Sequence, residues 1–255
     1  MNATFYNLKT IEEKIAYLKN NELELPNIDK YNSEWDEKRH KIMTDLVSYP
    51  DRIVEYEYTD ELGRQVKGKR VEKLNRIPLA YQKDIVTIAV TFLFANPVKY
   101  TNKLEDTLLF DAFQKVLDKE KSIFLDREIA KNNGRFTQCA ELWWVDNEPN
   151  AYYGFNSNYR LKCSVLSPEN NKMYPYFDEQ GDMVAFLREY EKRIDGKLIK
   201  HYDIYTAETF AFLRETNNGI ELISEEINPI GKIPIVWYSF DEVEWSKAQK
   251  AIERL

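Results

Sequence analysis

The sequence predicts an α+β fold with a helical first half and an antiparallel β meander in the second, closed by the start of one more helix. Three observations carry this prediction. Over residues 77–134 apolar side chains recur every three to four positions, the spacing of a helix stripe. From residue 135 the period drops to two, with turn residues between short runs. In the last fifteen residues the spacing returns to threes and fours.

The chain has 255 residues, 43% hydrophobic and 31% charged, enough apolar material for a substantial core. Thirty-six Lys and Arg against 43 Asp and Glu leave a net charge of −7. That is the wrong sign for a protein that grips nucleic acid over its whole surface, so any basic contact must be local. Two cysteines, Cys139 and Cys163, are too few for a disulfide scaffold and predict a reducing compartment. Residues 1–19 carry Glu12, Glu13, Lys14 and Lys19 without an apolar run, which predicts that no secretory signal is present. The longest uncharged apolar stretch, residues 85–98, falls short of the roughly 20 residues of a spanning helix. It predicts a buried helix and no membrane.

Taken in order, Thr10 and Glu13 have capping-box spacing, and Ile11, Ile15 and Leu18 then repeat at helical intervals up to Asn20 and Asn21. A second helix is expected from near Ser33, with Trp35, Arg39, Ile42 and Leu46 on one face and Pro50 beyond its end. Residues 52–59 alternate strictly and predict a strand, which Gly63 turns into a second over residues 65–71. Tyr81, Ile85, Ile88 and Phe92 form a stripe that Val86, Val90, Leu93 and Phe94 widen almost to a full circle. That pattern predicts a helix buried on several sides, ended by Asn96 and Pro97. Another helix is expected over 104–119, and a third from Ser122 closed by Gly134 in a left-handed conformation.

Strands are predicted at 138–145, 160–166, 173–177, 183–191, 198–205, 209–214, 220–224 and 233–239. Gln180-Gly181-Asp182, Asp195-Gly196 and Asn217-Asn218-Gly219 supply the positive φ that short hairpins need. At the end, Asp241 and Glu244 have capping-box spacing, and Phe240 and Trp245 the spacing of a hydrophobic staple. Trp245, Ala248, Ile252 and Leu255 would then form a seam that wants a partner, a candidate subunit interface. The seam runs to the last residue without a stop signal, which predicts a longer helix cut at Leu255.

Catalytic chemistry is not indicated. The two histidines are expected at the surface, His40 in a charge-dense helix and His201 in an edge or surface strand, so no nucleophile has an evident base. Gly68-Lys69-Arg70 lacks the rest of a phosphate loop, and no GxGxxG occurs. Asp178, Gln180 and Asp182 imitate half a calcium loop, but Met183 stands where that loop requires glycine. No metal or other cofactor is therefore expected. Glu225, Glu226, Glu242 and Glu244 are expected at a solvated edge and at a helix start. One local basic cluster stands out: Arg64, Lys67, Lys69, Arg70, Lys73 and Arg76, opposed in that stretch only by Glu72. It is expected to be solvated or paired with an acidic neighbour, with phosphate contact as the other reading. The tyrosines between 152 and 205 also fit a glycan platform, so a non-catalytic binding module for a glycan or protein is the alternative class.

Three segments resemble the portal proteins of tailed bacteriophages, particularly those of siphophages. They are residues 77–98 (IPLAYQKDIV through FLFANPV), residues 176–188 (YFDEQGDMVAFLR) with 202–206 (YDIYT), and residues 228–236 (NPIGKIPIV) with Trp245-Ser246. The resemblance runs from about Ile77 to Leu255 and is looser before that. It implies a portal wing-like α+β domain over residues 1–240, helical at 77–134 and mainly β at 135–240, and the first turns of a stem helix at 241–255. It also implies that the full-length protein, of which this chain would be a wing fragment, forms a homo-oligomeric ring of about twelve subunits at a capsid vertex, with duplex DNA passing through its centre. Terminase large subunit, a head-tail adaptor, and capsid and scaffold proteins would be the partners. The location would be the virion, after assembly in the bacterial host cytoplasm.

Overall fold

The computed structural model describes residues 3–20, 24–103 and 107–252. It is α+β, built in layers. Ten strands form three separate antiparallel sheets among these residues, and helices cover two of them.

The central sheet is a five-stranded meander, β5 (Asn171–Phe177), β6 (Met183–Ile194), β7 (Lys197–Thr206), β8 (Thr209–Thr216) and β9 (Gly219–Ile227), paired in chain order. Its turns carry the expected chemistry. Asp195 and Gly196 both take positive φ (50° and 80°) between Ile194 and Lys197, as a tight hairpin twisted with its strands demands. The Asp178 carboxylate accepts the N–H groups of Gln180 and Asp182, which is a side-chain-closed turn and not an ion site.

Successive residues of β6 point to opposite faces. Ala185 and Leu187 pack on one side with Phe5 and with Ile15 and Leu18 of α2 (Ile11–Lys19). Phe186 packs on the other, against a second sheet ordered β10-β3-β4. That sheet joins β3 (Gln138–Asp146) to β4 (Arg160–Leu166) and, from far along the chain, to β10 (Ile235–Ser239). Its outer face is covered by α7 (Ser122–Phe136), where the Cys139 thiol lies against the Ile129 carbonyl.

The helices diverge more from expectation. The Thr10–Glu13 capping box is present on both sides, and a short α1 (Ala3–Tyr6) precedes it. The helix expected from Ser33 instead starts at Ile28, where the Asn27 side chain accepts the Lys30 N–H, and ends at Trp35 as α3. Asp36 stops it by taking the Lys38 N–H, a local bond that competes with the helix ladder. Residues Lys41–Thr44 form a separate short α4 capped by His40.

β1 (Arg52–Thr59) and β2 (Gln65–Glu72) pair as expected, but as an isolated ribbon. α5 (Tyr81–Leu93) packs on α3 and α7 along one side only, so the expectation of burial on several sides is corrected. Val86 faces in, whereas Ile88, Leu93 and Phe92, the last 80% exposed, face out. The following helix is described as α6 (Leu108–Lys119), and the expected start at Leu104 lies outside the described residues.

Gly134 does not close α7. It lies within the helix, where an added Cβ would come 3.1 Å from Val86 Cγ1, so its role is close approach to α5. The left-handed cap is Thr137, at φ 68°.

Candidate functional site

The two histidines are spent on structure. His40 Nδ1 accepts the Ile42 N–H at the start of α4. His201, expected at an edge or the surface, sits in β7 between Tyr190 of β6 and Arg214 of β8, buried and stacked on the Tyr190 ring at 5.5 Å. Burial, with Lys192 and Arg214 adding to it, holds its pKa below the ordinary imidazole value. Burial likewise pushes the Cys139 thiol up to about 12 and the Cys163 thiol further upward, so neither is a poised thiolate. Among the described residues no three His, Cys, Asp or Glu side chains gather as metal ligands.

A cavity of about 530 Å³ lies between the two larger sheets, lined in part by Trp143, Trp144, Phe212 and Asp203. Sequence reasoning missed the buried group there. Asp203 is nearly sealed and has only loose partners, Arg188 Nη1 and the hydroxyls of Tyr190 and Tyr205, at 3.4–3.5 Å. Desolvation raises its carboxyl to about 6 against the pull of Arg188. The signal in the sequence was an acid inside an aromatic strand, Tyr202-Asp203-Ile204-Tyr205, which strict alternation does not distinguish from a solvated position.

The basic cluster is brought together by the ribbon and largely neutralised there. Lys67 faces Glu57 and Lys69 faces Glu55 across the strands, at 3.7 and 3.1 Å. Arg70 pairs with Glu72, Arg64 with Asp60, and Arg76 with Asp51 at the ribbon base. Lys73 extends the same positive field toward Asp51. Apart from Glu72, the acids that answer the cluster are Asp51, Glu55, Glu57 and Asp60, which precede it in the chain, so a linear count of residues 64–76 does not register them.

The terminal seam also changes meaning. Trp245 is 1% exposed, inside a core with Val86 and Val243. Its indole N–H donates to Glu34 Oε2 at 3.0 Å, and its ring meets Tyr31 edge-on and Trp35 at a tilt. It is therefore a lock on this chain's own α3, not a free knob for a neighbour. No helix starts at Asp241, because the Phe240 and Glu244 N–H groups go to the carbonyls of Thr137 and Gly134. The segment straps the end of α7, and helical geometry begins only with a 3-10 turn at Ser246–Ala248 and α8 (Gln249–Ile252). Ala248 and Ile252 are half-buried, Ile252 against the Trp245 core, and Leu255 lies outside the described residues.

Several large apolar side chains are left exposed on the helices. On α5 these are Ile88, Phe92 and Leu93; on α6, Leu108, Leu109 and Phe113; on α7, Phe124. Single exposed apolar residues need no explanation, but three neighbouring helices carrying them together mark an interaction surface.

The unit is α+β, with apolar side chains exposed on three of its helices, both histidines held in structural contacts and both thiol pKa values raised by burial. The family model described as phage portal protein, SPP1 Gp6-like, matches residues 15–255, and the chain belongs to this family. Portal proteins are in general structural components of the phage capsid and not enzymes. No curated protein matches the chain. Among the described residues no helix is long and apolar enough to cross a membrane.

Proposed function

We propose that this chain is one subunit of a homo-oligomeric portal ring, about twelve copies at a capsid vertex, through which duplex DNA enters and leaves. Terminase large subunit, a head-tail adaptor, and capsid and scaffold proteins dock on that ring. The observation that carries the reading, beside the family, is the outward apolar face of α5 with its neighbours on α6 and α7. Water is a poor solvent for Ile88 and Phe92, one turn apart on the same face of α5, and a neighbouring copy removes them from it.

The electrostatics support passage instead of grip. About twelve copies at −7 sum to roughly −84, a background that repels duplex phosphates. The ribbon cations are already answered by acids of their own chain. Firm contact with 6–10 phosphates would give tight, salt-sensitive binding, which a sliding duplex cannot tolerate.

The test is to image the purified full-length protein by negative-stain electron microscopy beside its double variant Ile88→Asp/Phe92→Asp. Both positions are exposed, so the variant keeps the fold. Rings in the parent and separate subunits in the variant support the reading. A parent that stays monomeric at every concentration, or a variant that assembles equally well, overturns it.

A further inference from the structure

The β1–β2 ribbon stands by itself. Among the described residues no other strand or helix makes more than marginal contact with it, and both of its faces are exposed. A two-stranded ribbon alone in water is marginally stable, so an element of this kind is an arm that finds its packing elsewhere. Its base is fixed by the Arg76–Asp51 pair, with Arg76 also donating to the Tyr49 carbonyl. Its shaft charges are spent on each other.

The tip is shaped. The Asp60 carboxylate accepts the N–H groups of Leu62 and Arg64 and the Arg64 Nε–H, and Gly63 turns the chain at φ 77°. This frame presents Leu62, 76% exposed, next to Glu61, which makes no ion pair among the described residues.

Elsewhere on the chain lies a groove of about 500 Å³ that is apolar on nearly all sides. One wall is Leu109, Ala112, Phe113 and Val116, one face of α6; the other includes Phe155 and Leu161, from the loop before β4 and from β4 itself. Two cations without an ion pair among the described residues lie against Tyr152 and Gly154, the sequence neighbours of the lining residue Tyr153. Lys119 Nζ lies 4.0 Å from the Tyr152 ring centre, and Lys115 lies along Gly154.

We propose that the ribbon tip of one copy seats in the α6–β4 groove of the next copy, with Leu62 in the apolar slot and Glu61 between Lys115 and Lys119. The occupant is a second copy because an arm without a seat and a seat without an occupant occur on the same chain with complementary charge. Strands of eight residues reach about 26 Å, enough to bridge to a neighbour. Tip and groove are different surfaces, so the contact is head-to-tail, the kind that closes a ring. The inference rests on the ring reading above and adds the contact that fixes the order of copies.

The test is a cysteine pair. Leu62→Cys with Leu109→Cys, both exposed, is treated with a short bis-maleimide on assembled protein and run on a denaturing gel. The control pair is Leu62→Cys with Leu198→Cys, on the distant β6–β7 turn. A ladder of linked multimers from the first pair and none from the control is the expected result. In parallel, Leu62→Ser should raise the concentration for half-assembly about 10- to 100-fold, the equivalent of one lost buried leucine contact, while Leu62→Met should restore it. Rings that form normally with no ladder, and with Leu62→Ser equal to the parent, overturn the arm-and-groove contact while leaving the ring reading intact. A parent that forms no rings overturns that reading first, and this contact with it.

Discussion

Replacing Trp245 by alanine decides whether this residue locks the chain to itself or waits for a neighbour. The indole is 1% exposed, and deleting a buried Trp costs about 3–5 kcal/mol through lost transfer energy and the cavity left behind. Part of that belongs to the contacts with Tyr31 and Trp35, about 0.5–1.5 kcal/mol per aromatic pair. Trp245→Phe isolates the polar part. It keeps a ring in the pocket but removes the N–H that serves Glu34, itself buried, and costs about 1–3 kcal/mol.

For a domain of this size each kcal/mol moves Tm by about 2–4 °C. Differential scanning calorimetry should therefore show Trp245→Ala melting about 6–20 °C lower and Trp245→Phe about 2–12 °C lower. A cycle with Glu34→Leu should give less than additive losses, because the two side chains share one bond. A Trp245→Ala variant within about 0.5 kcal/mol of the parent, the range of an ordinary surface change, would refute the lock and return Trp245 to the surface.

Four further outcomes follow from the geometry. Thr137→Gly should raise stability by about 1 kcal/mol in chemical denaturation, because a β-branched residue at φ 68° stores strain that glycine does not. Asp203 has a folded pKa of about 6 against an ordinary 3.8, so the folded state holds its proton more tightly than the unfolded one. Its contribution is present below about pH 4 and lost as pH rises toward 6, about 3 kcal/mol in all, and Asp203→Asn should flatten that part of the stability profile.

Glu189 runs the other way. Lys19 at 2.5 Å and Lys172 at 3.3 Å hold its carboxyl below the usual range despite burial, so its contribution is present near neutrality and lost on acidification. Lys19→Ala should cost about 1–3 kcal/mol in urea titration, because it leaves the buried carboxylate beneath α2 with Lys172 as its remaining cation. Lys67→Gln/Lys69→Gln should shift stability by less than about 1 kcal/mol, since both pairs lie in solvent, and should leave duplex retention in gel shift unchanged.

Local chemistry was legible in the residues themselves. Thr10 and Glu13 satisfy each other's orphan donors within four residues, so the start of α2 could be read directly. The strands of the meander follow from period two and from turn residues that tolerate positive φ, as at Asp195-Gly196 and Gly219. The acidic balance and the portal resemblance over residues 77–255 likewise needed no coordinates, and the family match over 15–255 agrees with the resemblance.

Only the tertiary structure settled which apolar faces are used. The α5 stripe looked buried because periodicity records hydrophobicity and says nothing of how many neighbours arrive; α3 and α7 cover one side and leave Phe92 bare. Asp241 and Glu244 had the spacing of a cap, but the Thr137 and Gly134 carbonyls claimed the N–H groups at 240 and 244, and a strap formed where a helix was expected. The basic cluster lost its free charge to Glu55 and Glu57, brought opposite by strand register. In each case the deciding partner is distant along the chain or on the facing strand. Spacing within one segment fixes what a segment can do alone, and contact between segments selects which of those options is realised.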